Sequence, residues 1–465
     1  MPLKVESRLI KPHRKDQEDR MKVFRVLLIM ALVVGALGMA QGAARAGAFT
    51  YTSSINVQNL ENATATITIS FYNQDGTKNI TDVTDTVAAL GSKAYFPIQA
   101  SDGFNGSVVI SSDRQVASIS NILGNNGAAA AAYVAANTGN TTVLLPLLMQ
   151  NNGGFNTWFN VQNTGSADAT VNVAYSDGTA ASATIKPGAA RTFDQATETH
   201  SLRVFSAVLT SNQPIAATVI EESTAVMFAY SGFNAGTTNP VIPLVNANNA
   251  GYQTGITMQN AGGSDSVVTL SYTPSGPGNG TACTETWTIP ANKNVTFAFN
   301  SFQGVPAAGM TTNCAGGQKF VGSARVTANS ANAPLVAIVN QLKAGVNGEA
   351  YGSFDGNAAT GKVVLPLIMN ANGGYYTSIN LMNVGGSAAD VTCTFTGSTL
   401  SLTRNLGAGA GVSLLQSAPD QFGSTHYVGS ATCTSSTQIV AVVNELGASA
   451  TADQLLVYEG VSMTP

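Results

Sequence analysis

The chain reads as an all-β protein organised as a tandem array, and two observations carry that prediction. Short runs of alternating apolar and polar residues, separated by turn residues, recur with almost no helical periodicity. One nine-residue phrase also returns four times. Phe-Asn-Thr-Trp-Phe-Asn-Val-Gln-Asn at 155–163 reappears as Tyr-Gln-Thr-Gly-Ile-Thr-Met-Gln-Asn at 252–260 and as Tyr-Tyr-Thr-Ser-Ile-Asn-Leu-Met-Asn at 375–383. The fourth copy is Tyr-Thr-Ser-Ser-Ile-Asn-Val-Gln-Asn at 51–59. Successive terminal asparagines lie 104, 97 and 123 residues apart, which is domain length rather than solenoid length. The predicted layout is a leader and signal peptide at 1–46, with Met21 as the start, followed by repeats at 47–140, 141–236, 237–360 and 361–465.

Taken in order, the leader comes first. Lys22 and Arg25 form a basic region, 26–38 is apolar, and Ala44-Arg45-Ala46 matches a signal-peptidase site. The apolar core is short for a span of ~30 Å of hydrocarbon, so cleavage and export are expected rather than anchoring. The leader holds nine of the 21 Lys+Arg and four of the 25 Asp+Glu, leaving 12 basic and 21 acidic side chains and a net charge of −9 before histidine. That balance offers no basic patch for nucleic acid or anionic lipid. No later apolar run is long enough to span a bilayer. The expected location is extracellular or at the cell surface.

Repeat four shows the elements of one unit. An apolar run at 363–369, containing Leu365-Pro366-Leu367, closes in the turn Asn370-Ala371-Asn372-Gly373-Gly374. Tyr375, Thr377, Ile379 and Leu381 then alternate with Tyr376, Ser378, Asn380 and Met382, the period of a strand with one buried face. Asn383 to Ser387 breaks that strand, and Val391, Cys393 and Phe395 alternate in the next. A glycine-rich turn at 407–411 precedes 412–415, and 428–434 and 439–444 read as two further strands before 455–458 completes the unit. The other copies keep this order, and each ends on a tyrosine: Tyr133, Tyr230, Tyr351 and Tyr458. Only 128–132 has any helical character, and it is too short to matter. Some seven short strands per repeat describe an immunoglobulin-like antiparallel β-sandwich.

The stretch Val161-Gln162-Asn163-Thr164-Gly165-Ser166-Ala167-Asp168-Ala169-Thr170-Val171 resembles the Ig-like modules of bacterial surface and adhesion-related proteins. The Leu-Pro-Leu, methionine and Gly-Gly-aromatic signature at 145–155 and 365–375 is similar to tandem repeats of exported bacterial proteins. The resemblance covers the mature chain and implies architecture and an exported setting, not a chemistry.

The four cysteines fall in the last two repeats, and four cysteines permit three pairings. In an exported chain they favour disulfides over thiols or metal. Aligning the repeats on one another puts Cys393 where repeat three has Leu270, and Cys433 where it has Val326. Both are core positions, so Cys393–Cys433 is expected to join two facing sheets. Cys283–Cys314 is expected to staple the insertion that makes repeat three the largest. Each loop would contribute roughly 3.5–4 kcal/mol through unfolded-state entropy.

Catalytic signals are sparse. His200 and His426 read as exposed loop histidines, and Glu221-Glu222 as a solvated strand end. Asp75-Gly76 and Asp177-Gly178 read as hairpin turns rather than calcium loops. No cofactor or metal is expected, and the chain is not expected to be an enzyme. By alternation Tyr51, Phe155, Tyr252 and Tyr375 fall in the core. Trp158 and Tyr376 fall on the opposite face, where they pack against a neighbouring module or stack on a glycan.

One irregularity remains. A Leu-Pro-Leu-type run precedes repeats two, three and four, at Leu145, Ile242 and Leu365, but cleavage after Ala46 leaves repeat one without it. Either each such strand closes the preceding module or it belongs to the following one, and one terminal sandwich is a strand short. Exposed strand edges recruit strands. The reading is an exported, non-catalytic surface protein, a stiff chain of four sandwiches with a structural or adhesive role. It would self-assemble head to tail through edge strands into a filament or lattice, or bind cell-surface components, and the alternative is an array of carbohydrate- or surface-ligand-binding modules.

Overall fold

The computed structural model describes residues 47–298, 302–303, 305–329, 333–343, 346–447 and 452–463, so the predicted leader at 1–46 lies outside the described residues. The described chain is all-β, built from antiparallel sheets. Each repeat opens its inner sheet on the recurring nine-residue phrase: Tyr51–Asn59, Asn156–Asn163, Tyr252–Asn260 and Tyr376–Asn383, here called lead strands. Each closes on the tyrosine-bearing strand: Ala129–Val134, Met227–Ser231, Asn347–Gly352 and Leu455–Glu459, here called axial strands. The alanine-rich run at 128–132, the one stretch with helical character in the sequence, therefore belongs to a strand.

The inner sheet of repeat one runs Ser92–Tyr95, lead strand, Val116–Gly124, axial strand; its outer sheet runs Val83–Val87, Ala65–Asn73, Gly106–Ser112. In repeat four the two strands expected at 428–434 and 439–444 are a single strand, Tyr427–Leu446. Its first half pairs in the outer sheet and its second half in the inner one. Repeat two does the same with Val204–Glu222, whose pairing shifts register between Thr210 and Ile215. The polar residues between the halves bend the strand across both sheets without ending it.

The Leu-Pro-Leu runs lie on the strands Asn140–Met149, Pro240–Ala247 and Thr360–Asn370, here called Leu-Pro strands. Each pairs within the repeat that follows it: Leu145 with Ala207, Ile242 with Ala324, Leu365 with Ala431. This decides between the two sequence readings: each strand belongs to the repeat that follows it, and repeat one has no such strand among the described residues. Each Leu-Pro strand is held at three points. The repeat's last tyrosine donates to a Leu-Pro carbonyl: Tyr230 to Leu147 at 2.5 Å, Tyr458 to Leu367 at 2.5 Å, and Tyr351 to Leu244. A lead-strand threonine bonds both the N–H and the C=O of a residue near the strand's end, Thr157 at Met149, Thr254 at Asn246 and Thr377 at Met369. The chain leaving the axial strand then pairs with the outer edge, as Phe233 does with Leu144, Phe354 with Val241 and Val461 with Val364.

Both disulfides form. Cys393 and Cys433 are direct partners on adjacent strands of one sheet, with Cα atoms 4.0 Å apart, and do not join facing sheets. Sharing a core-facing side is not the same as lying on opposite sheets, and here the two strands are neighbours. Cys283–Cys314 spans the insertion of repeat three, from the start of Cys283–Ile289 to just beyond Thr311–Thr312.

Candidate functional site at the repeat junctions

The repeats are not separate beads, since Ala44–Pro465 is one compact unit. Period-two alternation on the axial strands explains how. In repeats three and four one face of the strand enters the repeat's own core and the other enters the core of the preceding repeat, while in repeat two the second face meets repeat one in a cluster at the junction. Tyr230 lies in the core of repeat two, while Met227 and Ala229 pack with Ile122, Ala129 and Ala131 of repeat one. Tyr351 lies in the core of repeat three, while Ala350 joins that of repeat two. Leu456 and Tyr458 serve repeat four, while Val457 joins repeat three. The last link closes back on the first, because Ala130 and Ala132 of repeat one lie in the core of repeat four. The axial strands touch in the cyclic order one, two, three, four, one. Alanine at 129–132 allows the close approach that closure needs.

Polar groups seal the same junctions. Asn340 of repeat three donates to Glu221 of repeat two at 2.5 Å, Asn444 of repeat four to Glu349 of repeat three at 3.1 Å, and Asn121 of repeat one to Glu445 of repeat four at 2.9 Å. The three asparagines occupy the same place in their repeats. In repeat two that place is Ile220, and there Tyr51 of repeat one donates to Glu222 at 2.5 Å. Asp453, just before the axial strand of repeat four, ties all four repeats. Its carboxylate accepts the N–H of Met227 at 2.8 Å and of Gly348 at 2.9 Å, and its own N–H donates to Ala128 at 3.0 Å.

These carboxyls are buried with amide, hydroxyl and backbone donors and no cation, so burial raises them out of the usual carboxylate range. Glu221 and Glu445 are pushed up to about 8 and Asp453 to about 7, while Glu222, Glu349 and Glu459 are also raised. The Glu221–Asn340 and Glu445–Asn121 pairs each leave one oxygen on the acid and one on the amide without a donor. A proton on the carboxyl supplies it, so these are acid–amide pairs rather than buried anions.

The structure therefore corrects the sequence reading of Glu221-Glu222, which are 0 % and 4 % exposed and sit inside two junctions. It also corrects His200, whose side chain is fully buried. Nδ1 lies 3.1 Å from Asp177 and 3.1 Å from Thr179, and the ring stacks on Phe205. Although burial opposes it, hydrogen bonds from Thr179, Ser201 and His200 hold the Asp177 carboxyl at about 2. The cluster pins the loop that carries His200 to the Asp177-Gly178 turn, and Glu198 accepts from Tyr175 at 2.8 Å beside it. Among the described residues no hydrogen-bond partner stands on the ring's other nitrogen, which lies 3.8 Å from Glu198. His426 is exposed.

Trp158 is half-buried and meets Tyr51 of repeat one edge-on, with ring centroids 5.6 Å apart. Tyr376 is half-buried at the start of its lead strand and lies within electrostatic reach of Tyr252 in repeat three. Tyr51, Phe155, Tyr252 and Tyr375, expected in the core, are half-buried at the rims of the cores instead. Among the described residues no group of three or more His, Cys, Asp or Glu side chains converges as a metal requires, and no helix is long and apolar enough to cross a membrane. The recurrence of Asn121, Asn340 and Asn444 at one place in three repeats was the available sequence signal for the junctions. No family model matches the chain, and no curated protein shows significant similarity to it.

Proposed function

We propose that this is an exported, non-catalytic cell-surface protein in which four Ig-like sandwiches form one self-closed structural or adhesive element. The observation that carries the reading is where the ionisable groups go. Glu221, Glu222, Glu349, Glu445 and Asp453, the side chains that could do acid–base work, are consumed in joining one repeat to the next. The His200 cluster is spent on anchoring a loop. Two disulfides suit an oxidising compartment. The packing of repeat four against repeat one joins the two ends of the array within one chain, which favours a self-contained unit over a head-to-tail filament. Immunogold labelling and protease shaving of intact producing cells test the reading. Surface label and release of the chain are expected. A protease-protected cytoplasmic pool with reduced cysteines would overturn it, and filaments of the purified protein in electron micrographs would overturn self-closure.

A further inference from the structure

The strand that repeat one lacks leaves a mark on both sides of the junction with repeat two. On the side of repeat one, the sheet ends at Gly106–Ser112, which has no second neighbour among the described residues. Val108, Ile110 and Val116 are only partly buried there, whereas their counterparts Ala207, Leu209 and Ile215 in repeat two are at most 1 % exposed. Ser53 stands where Thr157, Thr254 and Thr377 grip a Leu-Pro strand, and Tyr133 stands where three tyrosines hydrogen-bond one. The Tyr133 hydroxyl lies near Ser120, whose own hydroxyl donates to the Ser54 carbonyl at 3.1 Å.

On the side of repeat two, the outward face of the lead strand is uncovered. Asn160 and Gln162 are half-exposed, while the matching Asn56 and Gln58, Thr257 and Gln259, and Asn380 and Met382 are buried under the Leu-Pro strand of the repeat before them; Trp158, half-exposed like its counterparts Ser54, Gly255 and Ser378, lies on the same face. The next strand repeats the pattern. Ala216 and Thr218 are half-exposed, while Val336 and Ile338, and Val440 and Val442, are buried. The rest of the junction is built like the others. Gln162 donates to the Val108 carbonyl as Gln259 does to Ala207, and Ser107 to Gly188 as Ser323 does to Gly409.

We propose that this groove, with the Gly106–Ser112 edge as its wall and Trp158, Asn160, Ala216 and Thr218 as its floor, binds an extended segment of a partner protein in which apolar residues flank a proline. This extends the adhesive reading by naming what is held. The fold builds the same interface three times with its own strands, and those strands define the occupant: Val143 to Met149, Val241 to Ala247 and Val363 to Met369 all carry proline between apolar residues. The bound segment adds a strand to the open edge, and its alternate side chains enter the core of repeat one and the face of repeat two. A second copy is a poor donor, because its own Leu-Pro strands are paired on both edges.

The test is titration of the purified protein with a synthetic peptide copying the 10 residues Asn140–Met149, followed by calorimetry and by the fluorescence of Trp158. One-to-one binding is expected, with a change in Trp158 emission. Affinity is expected to fall at least about tenfold in Thr218→Arg, which fills the floor from a half-exposed position. A peptide with its leucines replaced by serine should not bind. Thermal melting of Thr218→Arg checks that the variant folds, and Asn160→Arg serves as the second block if it does not. No binding at about 1 mM peptide, or equal binding by both blocked variants, would overturn the proposal. So would dimers dispersed by Thr218→Arg, or a glycan that binds at Trp158 where the peptide does not. The titration uses isolated protein, so its outcome is independent of where the chain sits on the cell.

Discussion

The terminal asparagine of the recurring phrase is the residue on which each lead strand turns. Asn163 donates to the carbonyls of Ala167 at 2.7 Å and Ile185 at 2.9 Å and accepts the N–H of Gly165 at 2.9 Å. Asn59, Asn260 and Asn383 make the same three kinds of contact, and all four are fully buried. An amide is needed because one group must donate twice and accept once. Asn163→Ala leaves those backbone groups unpaired and is expected to cost about 3 kcal/mol, measured by urea unfolding. The repetition of this asparagine was legible in the sequence. Its contacts were not, because they bridge strands 22 to 29 residues apart. The junction acids follow a different rule. Repeat three carries Gln341, 1 % exposed, where repeats two and four carry Glu221 and Glu445. Glu445→Gln is therefore expected to fold normally, to change stability little at pH 4, and to raise the melting temperature at pH 9 relative to the parent.

At the scale of elements, the Leu-Pro strand and the axial tyrosine form one unit. Tyr458 accepts the N–H of Leu367 at 3.1 Å and donates to the carbonyl of the same residue, so its hydroxyl satisfies both groups where the strand is interrupted by Pro366. Tyr458→Phe is expected to destabilise by about 1–3 kcal/mol by leaving both groups buried and unpaired. Tyr133→Phe, made in the repeat without the strand, should cost distinctly less. Equal losses in chemical denaturation would argue against the strand as the cause. The sequence placed the strands and their order well, since alternation is a local signal. It divided Tyr427–Leu446 in two, because a polar stretch inside a strand reads as a turn unless the pairing on both sides is seen.

For the whole molecule, cores shared between neighbours predict joint unfolding. Ile338 and Ala350 of repeat three lie in the core of repeat two, and Val442 and Val457 of repeat four lie in that of repeat three. No repeat can melt without exposing its neighbour's core, so calorimetry should show one transition from the described body rather than four. The buried acids set the pH dependence. Their folded values lie above their unfolded ones, so the folded chain holds more protons over the interval between them, and stability falls as pH rises through it. The contribution is fully present below the ordinary carboxylate value. It is lost up to about 7 for Asp453 and about 8 for Glu221 and Glu445. Asp453 alone accounts for about 4 kcal/mol by this linkage. The protein is expected to melt several degrees lower at pH 9 than at pH 5, and the reverse order would sink the assignment of protonated junction acids.

By itself the sequence determined the all-β class, the fourfold repeat and the strand order within a repeat, because period and turn chemistry act over a few residues. It also pointed to the Cys393–Cys433 pair, since the aligned repeats put both on a core-facing side, although the two lie on neighbouring strands of one sheet and not on facing sheets. Only the tertiary structure decided that the repeats close on one another, that each Leu-Pro strand belongs to the repeat after it, and that Glu221, Glu222 and His200 are buried. An axial strand looks the same in sequence whether its second face meets water or another repeat's core. Which one it meets is fixed by contacts between residues about a hundred positions or more apart, such as Ala130 with the core of repeat four. The place where repeat one has no Leu-Pro strand among the described residues follows from the same packing: it lies between the Gly106–Ser112 edge and the lead strand of repeat two.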